Sequence, residues 1–181
     1  GIQTVDLNTG KQTTLEANHV SVIRFISNSE FLTIECENVP FGNSGIDDKK
    51  RYREVIYQLE KGKVWENTTH YLRTQYEDSL YADAAVYEDF QFDSEKKADV
   101  ILVNLGTHLM IIDRNTYNIL CEEDFSYPIV KLAVYNESTV LLGLADGSVE
   151  RFWMDDRQKI FSAEDSSVGG FLYDANKKVI I

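Results

Sequence analysis

The chain has 181 residues, enough for one ordinary hydrophobic core, and its 43% hydrophobic and 12% aromatic content is that of a globular protein and not of a disordered one. With 30 acidic against 18 basic residues the formal charge is −12, which repels phosphate backbones and argues against nucleic-acid binding. No apolar run approaches the ~20 residues that span a bilayer, so no membrane segment is expected, and no basic-then-apolar leader stands at the N-terminus.

In chain order, nearly every segment has strand character, with β-branched and aromatic residues set between turn signals. Ile2–Leu7 and Gln12–Leu15 flank Asn8-Thr9-Gly10 as a first hairpin. Val20–Ser27 alternates, with Val20 and Val22 on one side of the pleat and Ser21, Ile23 and Phe25 on the other. Phe31–Cys36 follows, and Pro40–Lys50, with two glycines and two aspartates, reads as a loop insertion. Tyr52–Leu59 and Lys63–Asn67 make another hairpin, and His70–Asp83 reads as an irregular or helical connection. Strands resume at Ala84–Phe92, Val100–Leu105, Leu109–Asp113, Asn118–Glu122, Val130–Tyr135, Val140–Leu144, Val149–Trp153 and Lys159–Ser162. Gly170–Tyr173 and Lys178–Ile181 close the series.

One hairpin recurs. Val5–Lys11, Tyr57–Lys63, Ile112–Asn118 and Trp153–Lys159 align on their turns. Their spacing is roughly 40–55 residues, a period that signals radial arrays of small sheets. Grouping strands by four gives units at 20–67, 84–124 and 130–165. A last unit, 168–181, stops halfway, and 1–17 supplies the missing half. The expected fold is therefore all-β: a single domain over 1–181, a β-propeller of about four blades, each a four-stranded antiparallel sheet. The same pattern fits a fragment of a larger propeller, in which case open edges let two copies complete one ring as a homodimer.

Asp146-Gly147-Ser148-Val149-Glu150-Arg151-Phe152-Trp153 resembles the turn between second and third strands of a WD-repeat blade. Asp6-Leu7-Asn8-Thr9-Gly10-Lys11 is similar to the hairpin that follows in that family. Quinoprotein-like and other divergent propellers fit the strand pattern equally well. The resemblance departs from the WD pattern in two places: Asn18-His19 stands where Gly-His is usual, and Trp153 is followed by Met154 instead of Asp. What it implies is a rigid scaffold that docks proteins or peptides.

Candidate chemistry is sparse. His19, His70 and His108 fall in different units, so no metal trio is expected; His108 is read as a turn residue beside Gly106-Thr107. Cys36 and Cys121 are too few for a disulfide framework and are expected reduced, which suits the cytoplasm. The cluster Lys49-Lys50-Arg51 with Arg53 is read as a solvated loop. Acid pairs such as Glu122-Glu123-Asp124 and Asp155-Asp156 are read as charge protecting sheet edges. No catalytic residue, cofactor or metal is assigned. Asn67-Thr68-Thr69 and Asn136-Glu137-Ser138 match the N-glycosylation pattern, which short sequences often do by chance.

The binding candidates are aromatics on or beside connections, together with one arginine, because such side chains dominate binding hot spots. They are Trp65, Tyr71, Arg73, Tyr76, Tyr81 and Tyr127. The alternative is a propeller enzyme acting on a carbohydrate or small ligand through acids near the central channel. Inner strands Val20–Phe25, Val130–Tyr135 and Gly170–Tyr173 carry no acid, leaving Glu88 and Asp89 as its candidates. Turnover that persists in a Glu88→Gln, Asp89→Asn variant would remove these two residues from that alternative.

Overall fold

The computed structural model describes residues 1–39, 49–71, 81–153, 156–162, 173–174 and 179–180. Every element among them is a β-strand, and they divide into two compact units, Gly1–Glu77 and Asp78–Ile181.

In the first unit, β1 (Ile2–Val5) and β2 (Gln12–Leu15) form a two-stranded sheet. Then β3 (Val20–Phe25), β4 (Glu30–Val39), β5 (Lys49–Gln58) and β6 (Gly62–Tyr71) form a four-stranded antiparallel meander in chain order. The alternation expected in β3 is present: Val20 and Val22 are half-buried, while Ser21, Ile23 and Phe25 are exposed. One face of this sheet buries Phe31, Val55 and Tyr57 against Leu15 of β2, with the Phe31 and Tyr57 rings stacked at 5.5 Å. Leu32, Ile34 and Ile56 on its other face are also closed to solvent. The sequence expectation of a loop through Lys50 is corrected at its end. β5 begins at Lys49, so Lys49, Lys50 and Arg51 belong to a strand, paired with Val39, Asn38 and Glu37.

In the second unit, β7 (Ala82–Asp93), β8 (Lys96–Leu105), β9 (His108–Asp113) and β10 (Ile119–Asp124) make one four-stranded meander. Another is made by β11 (Ile129–Asn136), β12 (Thr139–Leu144), β13 (Ser148–Trp153) and β14 (Asp156–Ser162). The last described strands, β15 (Tyr173–Asp174) and β16 (Val179–Ile180), pair with each other. The two meanders stack face to face. Val100, Leu102, Leu109 and Ile111 of one share a core with Leu132, Val140, Leu142 and Phe152 of the other. The reverse face of the β7–β10 sheet is equally dry, with Ile101, Val103, Met110 and Ile112 buried. Strands buried on both faces lose the in–out alternation and become continuous apolar runs, as Val100–Leu105 and Leu109–Ile112 do.

The hairpin repeat has a common backbone. Asp6 Oδ1 accepts the amides of Asn8 (2.8 Å) and Thr9 (3.0 Å), and Asp113 Oδ1 accepts those of Asn115 and Thr116 (both 2.8 Å). The closing residue turns left-handed in three of the four copies: Gly10 at φ 70°, Gly62 at 78° and Tyr117 at 58°. The fourth copy departs from the expected alignment: Trp153 pairs with Asp156, and Gln158, the residue equivalent to Gly10, lies within β14 opposite Arg151.

Two stability predictions follow from this geometry. A Cβ at Gly10 would meet nothing within 4 Å, so Gly10→Ala isolates the left-handed backbone penalty and should cost about 1 kcal/mol by chemical denaturation. An unchanged midpoint would contradict the turn. Leu102→Ala, in the shared core, should cost about 2–5 kcal/mol, whereas Phe25→Ala, at a side chain 76% exposed, should stay within about 0.5.

Candidate functional site

In a meander, the start of the first strand, the turn between second and third, and the end of the fourth all lie at one end. In the second unit these connections are laced by main-chain bonds. Gly106 N–H donates to Tyr81 C=O (2.8 Å) and Ile129 N–H to Gly106 C=O (2.8 Å). Phe125 N–H donates to Thr107 C=O (2.8 Å) and Ala145 N–H to Pro128 C=O (2.9 Å). The buried amide of Asn104 adds a bond to Ile129 C=O at 2.9 Å. Loops tied this way form a firm rim. Tyr81 stands half-buried at its edge, and Tyr127, 37% exposed, stands on the 125–128 loop.

The other binding candidates are placed differently. Tyr71 is the last residue of β6, at the corresponding end of the first unit's sheet. Trp65 is not beside a connection: β6 runs past the expected Asn67, and Trp65 sits half-buried within it, opposite Ile56. Arg73 and Tyr76 lie outside the described residues. Glu88 and Asp89 are exposed at a bulge in β7, where Asp89 takes a left-handed φ of 54°.

The rim also holds a histidine that the sequence reading placed in a turn. His108 is the buried first residue of β9, and its register partner is Asp124. Its Nδ1 lies 2.9 Å from Asp124 Oδ1, and Nε2 lies 3.7 Å from Glu122 Oε1. Nearby, Asp146 Oδ1 accepts Ser148 N–H (3.0 Å) and Oγ–H (2.6 Å) across Gly147 at φ 85°. Burial raises the Asp146 carboxyl, but the Ser148 bonds and Lys159 more than offset this and hold it below 3.8. Among the described residues no cluster of His, Cys, Asp and Glu is arranged to hold a metal ion.

The first unit contains a cleft of about 670 Å³ that no sequence motif announced. Leu15 and Tyr57 line it with Glu35, Arg53, Lys63 and Glu66. Glu35 and Arg53 are register partners on β4 and β5. The carboxylate of Glu35 is buried; Oε1 lies 2.8 Å from Tyr57 Oη, and Oε2 accepts Asn18 N–H at 3.1 Å. Tyr57 Oη also lies 2.9 Å from Glu16 C=O, so the single hydroxyl proton serves one of two acceptors at a time. Arg53 Nη2 reaches Glu35 Oε2 only at 3.6 Å. At the mouth, Lys63 bridges Glu66 at 2.7 Å, and that bond lowers the Glu66 carboxyl.

Compared with known proteins, the chain matches no protein-family model and no curated protein sequence.

The Tyr57 hydroxyl has a pH consequence. Burial, and then the bond to Glu35 and its negative charge, push Tyr57 well above its ordinary 10.0. Its folded pKa thus exceeds the unfolded one, so its contribution to stability is complete below about pH 10 and declines as pH rises beyond that. The wild type should therefore lose stability above pH 10 faster than Tyr57→Phe does. Parallel slopes in alkaline denaturation curves would contradict this placement of the hydroxyl.

Proposed function

We propose that the chain is a β-propeller repeat module, of about four blades in the WD-repeat style, that binds a protein or peptide on one rim of its sheets. Each four-stranded meander is one blade. The observation that carries this reading is the way the second unit's sheets stack. Their closest elements are the two first strands, β7 and β11. Asp83 and Lys131, one on each, pair at 2.7 Å, and Gln91 N–H donates to Glu137 C=O at 2.6 Å. In a radial array the first strand of every sheet lies nearest the axis, so neighbouring first strands run side by side. Between the fourth strands the link is made by side chains, with Arg157 of β14 bridging Glu123 of β10 and lying 4.6 Å from the Phe125 ring centroid.

A rim of short, hydrogen-bonded loops keeps contact residues ordered before a partner arrives, which lowers the entropic cost of association. Tyrosine suits such a surface, because it offers a large apolar face and a hydroxyl with only two rotatable bonds to fix. Tyr127 and Tyr81 are the residues on which this reading rests.

Selection of displayed peptides on the purified chain tests it. Enriched peptides should lose about tenfold in affinity for Tyr127→Ala, and for Tyr81→Ala, while both variants keep the wild-type denaturation midpoint within about 1 kcal/mol. Peptides that bind both variants as well as the wild type would overturn the rim as the contact surface.

A further inference from the structure

We propose that the cleft of the first unit is a carboxylate-binding subsite, in which Arg53 receives the acidic side chain of a peptide lying along the edge of β2. This rests on the cleft's own geometry and not on the rim of the second unit.

The guanidinium of Arg53 is under-satisfied. Arginine has five N–H donors and is costly to bury unless they meet acceptors. Its side chain is only 20% exposed, and its Nε is sealed from solvent with no acceptor among the described residues. Glu35 is the natural partner, yet both its oxygens are already engaged by neutral donors, Tyr57 Oη and Asn18 N–H. The guanidinium is left at 3.6 Å, beyond hydrogen-bonding distance, beside open space of about 670 Å³. That volume is in the range of small-ligand sites. A planar acceptor pair suits the planar donor fork of arginine, and a carboxylate supplies that pair.

The surrounding charges permit a carboxylate. Of the three glutamates lining the cleft, Glu66 is already neutralised by Lys63 at 2.7 Å, Glu35 is closed off by Tyr57, Thr33, Asn18 and Arg53, and Glu16 is exposed, where solvent screens its charge. The overall charge of −12 opposes any anion at long range. At about 0.15 M salt, however, the screening length is only about 8 Å, so the local fork decides. The peptide source follows from the wall. Thr14 and Leu15 line the cleft, and β2 pairs only with β1 among the described residues. An edge strand offers main-chain donors and acceptors to an added extended segment.

Nitrogen-15 NMR of the full chain at about 0.15 M salt reads the arginine directly. N-acetyl-glutamate methylamide, the acidic side chain carried on peptide groups, is titrated alongside propionate, the bare carboxylate. Saturable shifts of the Arg53 Nε–H, with movement of the Asn18 and Tyr57 amides, are expected for both. Tighter binding of the peptide mimic supports the peptide source, whereas equal affinities would remove it and leave a free small acid. Arg53→Gln should weaken the mimic about tenfold or more, and Arg53→Lys should not restore it, because it lacks the fork. An Arg53 Nε–H that does not move in the wild type overturns the subsite, even where the variants fail to fold. Undiminished binding to a folded Arg53→Gln protein overturns it too.

Discussion

The packing of the β7–β10 sheet against the β11–β14 sheet is the constraint on which the rest of the second unit depends. A four-stranded meander has no way to bury a face by itself. Its stability comes from a neighbour that covers the exposed leucines, valines and isoleucines, each contributing about 1.5–3 kcal/mol when fully buried. Twelve buried residues meet in this shared core, drawn from all four strands of one sheet or their flanks and from the first three of the other. Because a domain's net stability is only about 5–15 kcal/mol, loss of any one large side chain there removes a sizeable share of it. The packing also aligns β7 with β11, and that alignment brings the loops at one end close enough to lace together.

The first unit is organised differently. Its sheet meets the β1–β2 hairpin through a small apolar patch of Leu15, Phe31, Val55 and Tyr57. Beside that patch the connection from β2 to β3 is held by polar groups: Tyr57 Oη near Glu16 C=O, Glu35 on Asn18 N–H, and Cys36 N–H on His19 C=O. Glu35 is the hub of this arrangement. Its buried carboxylate accepts the Asn18 amide on one oxygen and meets the Tyr57 hydroxyl on the other, so both oxygens are engaged, with Arg53 left at 3.6 Å. This is why Arg53 is not drawn tightly onto it, and why the cleft retains spare donor capacity.

The strand pattern was legible because its signals are local. β-Branched runs and the Asn-Thr-Gly and Asp-Gly turns each act over a few residues, and three of the four expected strand groups each fall within one sheet; the strands expected to share the fourth, β1–β2 and β15–β16, form two separate two-stranded sheets. The left-handed φ shared by Gly10, Gly62 and Tyr117 makes the hairpin repeat a backbone fact in three of its four copies, whereas in Trp153–Lys159 the equivalent Gln158 lies within a strand. The sites were harder to read because they depend on register. Glu35 and Arg53 are 18 positions apart in sequence and become neighbours only through the β4–β5 ladder. His108 looked like a turn residue because Gly106-Thr107 precede it, and only the β9–β10 pairing reveals Asp124 opposite. Trp65 looked loop-proximal because Asn67-Thr68-Thr69 reads as a strand end, whereas the ladder with β5 carries the strand on to Tyr71. A long cross-strand ladder overrides weak local turn propensity, and a sequence window does not contain it.

The most direct test of the account is whether the two second-unit sheets touch as described. Methyl–methyl nuclear Overhauser effects in a selectively methyl-labelled chain would show it. The account predicts cross-peaks between the set Val100, Leu102, Leu109 and Ile111 and the set Leu132, Val140 and Leu142. Cross-peaks confined to each sheet, with none between the two sets, would contradict the stacked arrangement of these two sheets.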